Sequence, residues 1–325
     1  MKQLLSLLLL AASPVLAQEL SAPKQIVLST AEKSQVEVKL DQPYAGNTNP
    51  KQMVDVYLPK KRKSDKPLPV VALIHGGGWV NGDRIGYASL GIQLARTGDY
   101  AAVGVGYRLT KEAHWPSQVY DCKAAIRWIR AHAKELGLDA DKIAVWGSSA
   151  GGHLSSLLGT SGDVKELEGD LGPNTSFSSR VQCVVNLCGP EDFTQALMFT
   201  QEGQPIWKDD AVSGLLGGNA PDKTAEAKAA SPVTHVSKND PPFITFQGTK
   251  DQRVSFRHAE TIHAALQKAG VTSLLVPITN GGHGSVGHPE VKVRGQQFTD
   301  KILRGIESPI DITPIQALPE TPKKK

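Results

Sequence analysis

Short unbroken apolar runs alternate along this chain with longer segments that are apolar on one face only. Val70–Ile74 and Ala101–Val105 are continuous apolar runs, the pattern of strands covered on both faces. Ile143–Trp146, Val181–Leu187, Phe243–Phe246 and Leu274–Ile278 read as further strands. Upstream, Gln35–Leu40 and Met53–Leu58 alternate apolar and polar positions in the manner of antiparallel strands. Between the runs, Ala88–Ala95 fits an amphipathic helix. Val119–Leu136 fits a longer one, with Ala124, Ala125, Trp128, Ile129 and His132 recurring at helical spacing and Gly137 as its stop. Ala150–Leu158, Phe256–Ala269 (stopped by Gly270) and Val291–Ile306 complete the helices. Strand and helix in alternation predict an α/β fold with a mainly parallel central sheet and helices on both faces.

Three stretches break the alternation. Gln18–Ser34 has no strong period, and Leu167–Ser179 is a loop rich in Gly, Asn and Ser. Asp192–Ser231 is too long for an ordinary connection and is expected to be a small helical insert after the sixth core strand, placed as a cap over a binding site. The prediction is therefore one domain over residues 18–307, with 192–231 as its cap insert and 308–325 as a flexible, proline-containing tail. A chain of 325 residues, 40% hydrophobic, is long enough for one large domain with a well-buried sheet.

The start of the chain changes the picture more than its composition does. Met1-Lys2-Gln3, the apolar run Leu4–Ala12 and the small residues near Pro14-Val15-Leu16-Ala17 form the pattern of a cleavable signal peptide, residues 1–17, cut after Ala17. The run is too short to span a bilayer, no later segment is long enough, and no cysteine at the cut offers a lipid anchor. The expected location is secreted or periplasmic. Net charge is +4 with both signs mixed, and the clusters Lys60–Lys63 and Lys323–Lys325 read as solvated, so no nucleic-acid partner is expected. Of three cysteines, Cys183 and Cys188 face opposite ways along one predicted strand; any bridge would involve Cys122, and three buried free thiols are the simpler expectation.

The chemistry centres on Gly147-Ser148-Ser149-Ala150-Gly151, between a predicted strand and a predicted helix. Gly-x-Ser-x-Gly in that setting is a nucleophile elbow, and only Ser149 has glycine two positions away on each side. A serine nucleophile needs a base and a group to orient it. Asp251 follows the strand Phe243–Phe246, and His283 sits in the glycine-flanked loop Gly281-Gly282-His283-Gly284 after the next strand. The order Ser, Asp, His is that of α/β-hydrolases. Asp251 also reads as a turn or cap residue, and His288 competes with His283; His258 and His263 fall in a helix and are expected to face solvent. Directly after Val70–Ile74, His75-Gly76-Gly77-Gly78-Trp79 presents backbone N–H groups able to hold an oxyanion, complementing that of Ala150. A generic glycine turn is the alternative reading of that loop on its own. His75 is expected to order the loop, Asp83 to cap a helix, and Tyr107, Arg108 and Asp121 to form structural hydrogen bonds. No His/Cys/Asp group has metal-ligand spacing and no glycine loop has phosphate-binding form, so neither metal nor cofactor is expected.

With these residues in view the chain resembles the hormone-sensitive-lipase-like branch of the α/β-hydrolase fold, and within it the bifunctional feruloyl and acetyl esterases. The matching segments are HGGGWVNGD (75–83), YRLT with WPSQVYDCKAAIRWIRAH (107–132), IAVWGSSAGGHLSSLLG (143–159), GPEDF (189–193), ASPVTHVSKNDPPFITFQGTKDQRV (230–254) and GGHG (281–284). The resemblance implies Ser149, Asp251 and His283 as a catalytic triad and Gly77, Gly78 and Ala150 as oxyanion donors. It departs at Gln247-Gly248, where relatives have His-Gly. The function expected is serine carboxylic-ester hydrolysis on a small acetyl or feruloyl ester or an esterified plant polysaccharide, with Trp79, Trp115 and Trp207 near the substrate. A peptidase or amide hydrolase of the same fold is the alternative. A non-catalytic binding module fits poorly with a full set of candidate residues.

Overall fold

A computed structural model describes residues 26, 28–200 and 202–319; the expected signal sequence lies outside them. The chain runs through α1 (Thr30–Gln35), β1 (Val36–Pro43), β2 (Met53–Pro59), β3 (Leu68–Ile74), α2 (Ala88–Arg96) and β4 (Ala101–Val105). It continues with α3 (Ser117–Ala131), α4 (Ala133–Leu136), β5 (Leu138–Ser148), α5 (Ala150–Thr160) and β6 (Cys183–Leu187). The insert holds β7 (Met198–Phe199), β8 (Pro205–Ile206), α6 (Asp210–Leu216) and α7 (Thr224–Ala230). After it come β9 (Phe243–Gly248), α8 (Phe256–Lys268), β10 (Ser273–Thr279), α9 (Pro289–Thr299) and β11 (Ile315–Gln316).

Among the described residues one sheet runs in the order β1-β2-β4-β3-β5-β6-β9-β10-β11. β2 pairs antiparallel with β1 and β4; the other pairings are parallel. Strand residues alternate between two cores. Val70, Ala72 and Ile74 join one with α3 and α5, while Val71 and Leu73 join the other with α2 and α9. Both faces of the central strands are thus buried, which is why those strands read as unbroken apolar runs. Because β3, β5, β6, β9 and β10 run parallel, their carboxyl ends and the loops that follow lie along one edge, where open α/β sheets bind ligands.

Several elements differ from the sequence pattern. A capping box, Ser29 with Glu32, starts α1 in a stretch that shows no period. The helix expected over Val119–Leu136 breaks at His132, whose backbone leaves the helical region (φ −96°, ψ 4°), and Gly137 closes α4 in the left-handed conformation. The last helix leaves α geometry after Thr299 for a single π turn, Asp300–Arg304. The segment expected as a flexible tail adds β11 to the sheet edge: Ile315 pairs with Ile278 and is buried, and the Arg294 guanidinium donates to the carbonyls of Asp311 and Thr313. A two-residue strand is too short to register in a periodicity.

Candidate active site

β5 is clamped between β3 and β6 and ends in a turn so tight that Ser149 takes φ +54°, ψ −120°. A non-glycine residue there carries on the order of 1–3 kcal/mol of backbone strain, which the surrounding pairing must hold in place. The Ser149 N–H donates to the Leu187 carbonyl at 2.8 Å, tying the elbow to the neighbouring strand. A Cβ on Gly147 would run into the Gly151 carbonyl, and one on Gly151 into the Ile74 carbonyl. The glycines of the motif are therefore required by close backbone approach between strand and helix.

The loops after β9 and β10 are joined by a hydrogen bond from Lys250 N–H to the Gly281 carbonyl (2.9 Å). They bring Asp251 and His283 to the elbow. His283 Nδ1 lies 2.7 Å from Asp251 Oδ2, and Nε2 lies 2.9 Å from Ser149 Oγ. A carboxylate can only accept, so Nδ1 carries the proton and Nε2 is left to accept from the serine hydroxyl. Asp251 is fixed on every side: Oδ1 accepts from the backbone of Arg253 (2.8 Å) and Val254 (3.1 Å), and Oδ2 also accepts from Gln247 Nε2 (2.8 Å). Gln247 thus belongs to the site. Sequence comparison marks it only as a departure outside the triad, although its place four residues before Asp251 was the available signal.

Gly77 (φ +113°), Gly78 (φ +61°) and Trp79 (φ +59°) wind the loop after β3 in left-handed conformations. Gly77 and Gly78 line a cavity of about 770 Å³ that also contains Ser149 and His283. Among the described residues, the N–H groups of Gly77, Gly78 and Ala150 have no acceptor. His75 does order the loop: its ring stacks on Tyr107 (4.2 Å between centroids), whose hydroxyl donates to the His75 carbonyl. Asp83 caps the short 3₁₀ turn Arg84–Tyr87, and Arg108 pairs with Asp121 at 2.8 Å.

The aromatic residues expected at the substrate separate. Trp79 contributes to the cavity wall but is 2% exposed, held edge-on by His153 and Phe193. Trp115 packs beside His153 and does not reach the cavity. Trp207 does not line the catalytic cavity itself: 38% exposed, it lies beside a small recess that shares Leu197 and Asp209 with that cavity. Two residues on, Asp209 caps α6 and lines the catalytic cavity, as Leu197 does earlier in the insert. His258 is a correction to the expected solvent-facing position. It is buried, accepts from the Glu191 backbone N–H at Nδ1 (3.2 Å), and its Nε2 lies 3.1 Å from the Ala196 carbonyl. It anchors the start of the insert, as does buried Glu191, which accepts from Ser156 and Asn186. His288 caps α9.

All three cysteines are buried free thiols. Among the described residues folding also assembles a donor group that chain spacing hides: ligand atoms of Cys188, Asp251 and His283 lie within 4.8 Å of one another. The last two are already hydrogen-bonded together.

Burial leaves a pH signature beneath the site. His75 and His153 are both pushed down to about 4 by desolvation. His153 Nε2 lies 2.7 Å from the Ala230 carbonyl, while its Nδ1 has no partner among the described residues, so a second proton there would be buried unpaired. In the unfolded chain a histidine protonates near 6.5. Stability is therefore fully present above that value and is withdrawn as pH falls from about 6.5 to about 4, on the order of 3 kcal/mol for each histidine. Glu191, raised by burial, acts in the opposite direction, so the test is a difference. His153→Phe should shrink the loss of unfolding free energy between pH 7 and pH 4.5, measured by urea denaturation. An unchanged loss would refute the assignment to His153.

Comparison with known proteins agrees with this architecture. A family model described as BD-FAE matches residues 54–266. Esterase LipC of Mycobacterium tuberculosis is 32% identical over 240 residues, 73% of this chain and 57% of that protein. The chain spans about half the length of the curated relatives it matches. Among solved structures, a truncated carbohydrate esterase from gut microbiota superposes with a TM-score of 0.76 at 25% identity, covering 83% of this chain and 97% of that one. A bifunctional GH43-CE protein of Bacteroides eggerthii gives 0.73 at 31% identity, covering 82% of this chain and 35% of the other.

Proposed function

The chain belongs to the BD-FAE family and has the α/β-hydrolase fold, and from that premise we propose that it is a serine carboxylic-ester hydrolase acting through an acyl-enzyme. The observation that carries the reading is the unbroken hydrogen-bond chain Asp251–His283–Ser149. His283 Nε2 takes the hydroxyl proton as Ser149 Oγ attacks the ester carbonyl. The oxyanion of the tetrahedral intermediate accepts from the N–H groups of Gly77, Gly78 and Ala150. As the C–O bond breaks, His283 returns the proton to the leaving alcohol. Water then attacks the acyl-serine by the same route in reverse. Asp251 keeps the imidazole in the tautomer that can accept from serine and stabilises its charged form.

The substrate reading is an acetyl or feruloyl ester of plant polysaccharide, met outside the cytoplasm. It is supported by the signal-like start of the sequence, by the carbohydrate-esterase structures that this fold resembles, and by the polar residues Asn81, Asp209, Asp210 and Arg253 around the catalytic cavity. The purified protein should release acetate or ferulate from esterified xylan and cleave p-nitrophenyl acetate, while leaving an aminoacyl p-nitroanilide intact. Cleavage of the small ester without release from xylan would remove the polysaccharide reading; cleavage of the anilide alone would replace the esterase reading with a peptidase.

A further inference from the structure

β6 ends at Leu187, and the next residue, Cys188, takes the left-handed conformation at φ +51°. Its N–H donates to the Phe246 carbonyl of β9 (2.9 Å), and its thiol lies 3.6 Å from the His283 carbonyl. Cys188 is 1% exposed, yet it lines the catalytic cavity; Cys122 and Cys183 do not. Its sulfur thus stands with the Asp251 carboxylate and the His283 imidazole in one cluster, no two ligand atoms more than 4.8 Å apart. From this cluster we propose that Cys188 makes the triad a binding site for a thiophilic divalent cation such as Zn²⁺, which inhibits the enzyme. The inhibition rests on the esterase reading above; the binding does not.

Thiolate, imidazole and carboxylate are the donor types that Zn²⁺ takes. Bonds of about 2.0–2.3 Å in a tetrahedral site hold the ligand atoms about 3.5 Å apart, so these three close on an ion by movements of about an ångström. Asp251 Oδ1 is occupied by the N–H groups of Arg253 and Val254, which leaves Oδ2 to turn from His283 to the ion. The fourth position falls to a water from the cavity that Cys188 and His283 both line. Either imidazole nitrogen gives the same chemical result. At Nδ1 the ion displaces the proton to Nε2, and the nitrogen 2.9 Å from Ser149 Oγ can then only donate. At Nε2 the ion takes the lone pair that the serine proton needs. The ring keeps one proton in both cases, and the proton released to water is that of the Cys188 thiol.

Zn²⁺ at about 100 µM should lower kcat/KM for p-nitrophenyl acetate about tenfold or more, and excess EDTA should restore it. In Cys188→Ala and Cys188→Ser, each compared with its own metal-free rate, the same addition should change kcat/KM less than twofold. Titration with Cd²⁺ reads binding without turnover. The ultraviolet absorption of a cadmium–thiolate bond should saturate at one ion per chain, persist in Ser149→Ala and vanish in Cys188→Ala, which retains Cys122 and Cys183. His283→Ala leaves the thiol in place and should weaken Cd²⁺ binding about tenfold or more, a test that stands if the Cys188 variants do not fold. Equal inhibition of the Cys188 variants, a loss that EDTA does not reverse, absence of the thiolate absorption or unchanged affinity in His283→Ala would overturn the site. If the ester is not cleaved even without metal, it is the esterase reading that fails, and the Cd²⁺ titration still decides the site.

Discussion

Replacement of Ser149 by alanine is expected to lower kcat/KM for p-nitrophenyl acetate by about 10⁵-fold or more, with the fold intact. The hydroxyl is the atom that bonds to the acyl carbon, so no neighbouring group can replace it; Ser148, one residue earlier, ends β5 and does not meet His283. The fold should survive because Ser149 Oγ makes its hydrogen bond to His283 and the backbone carries the rest: its N–H is held by Leu187, and its carbonyl accepts from His153 N–H. Alanine at φ +54° is no more strained than serine. Residual rate above water, on the order of 10³–10⁴, is the share left to the oxyanion donors and substrate binding. Steady-state kinetics beside circular dichroism and urea denaturation check both halves. A folded variant retaining more than about a hundredth of the activity would remove Ser149 from the mechanism.

Asp251→Asn should be nearly as damaging, about 10³- to 10⁴-fold, falling mainly on kcat. The change keeps size and shape, so its effect isolates hydrogen-bond polarity. The side-chain oxygen of asparagine must stay where Oδ1 is now, accepting from the N–H groups of Arg253 and Val254. That orientation turns the amide NH₂ toward His283 Nδ1. Nδ1 must then accept, the proton moves to Nε2, and the nitrogen facing Ser149 can no longer take its proton. The same NH₂ would also face the donor Nε2 of Gln247, so this structure opposes asparagine twice. Flipping the amide relieves that conflict and instead points NH₂ at two backbone N–H groups. Kinetics with p-nitrophenyl acetate at pH 7 measure the loss; a change of less than tenfold would mean that Asp251 does not set the tautomer.

Most of the architecture was legible because both sheet faces are covered. Burial on two sides forces continuous apolar runs, and these name the central strands almost residue by residue. The motifs were legible for a similar reason: a turn as tight as Gly147–Gly151 leaves no space for other residue types at its ends. What local patterning missed depends on partners remote in sequence. His258 falls in a helix and invites a solvent-facing reading, but the insert folds back over it and its ring accepts from Glu191. Trp207, an aromatic residue in a long insert, invites a substrate role, and its place in a recess bordering the catalytic cavity was not readable from spacing. β11 has only two residues and exists because the edge of β10 offers it unpaired groups.

The sequence by itself determined the order of the central strands and the helices between them, the strand ends from which the site is built and the identity of Ser149, Asp251 and His283 as candidates, since periodicity and steric exclusion are local properties. Only the tertiary structure decided that Asp251 and His283, 32 residues apart, and Ser149, 134 residues from the histidine, meet within hydrogen-bond distance. It also recruited Gln247 to the carboxylate and set a second cavity beside the catalytic one, the two sharing Gly76, Ser148 and Val286. The reason is physical: a hydrogen bond or a cavity wall is fixed by where parallel strands and their crossovers bring distant residues together, and no spacing along the chain encodes that distance.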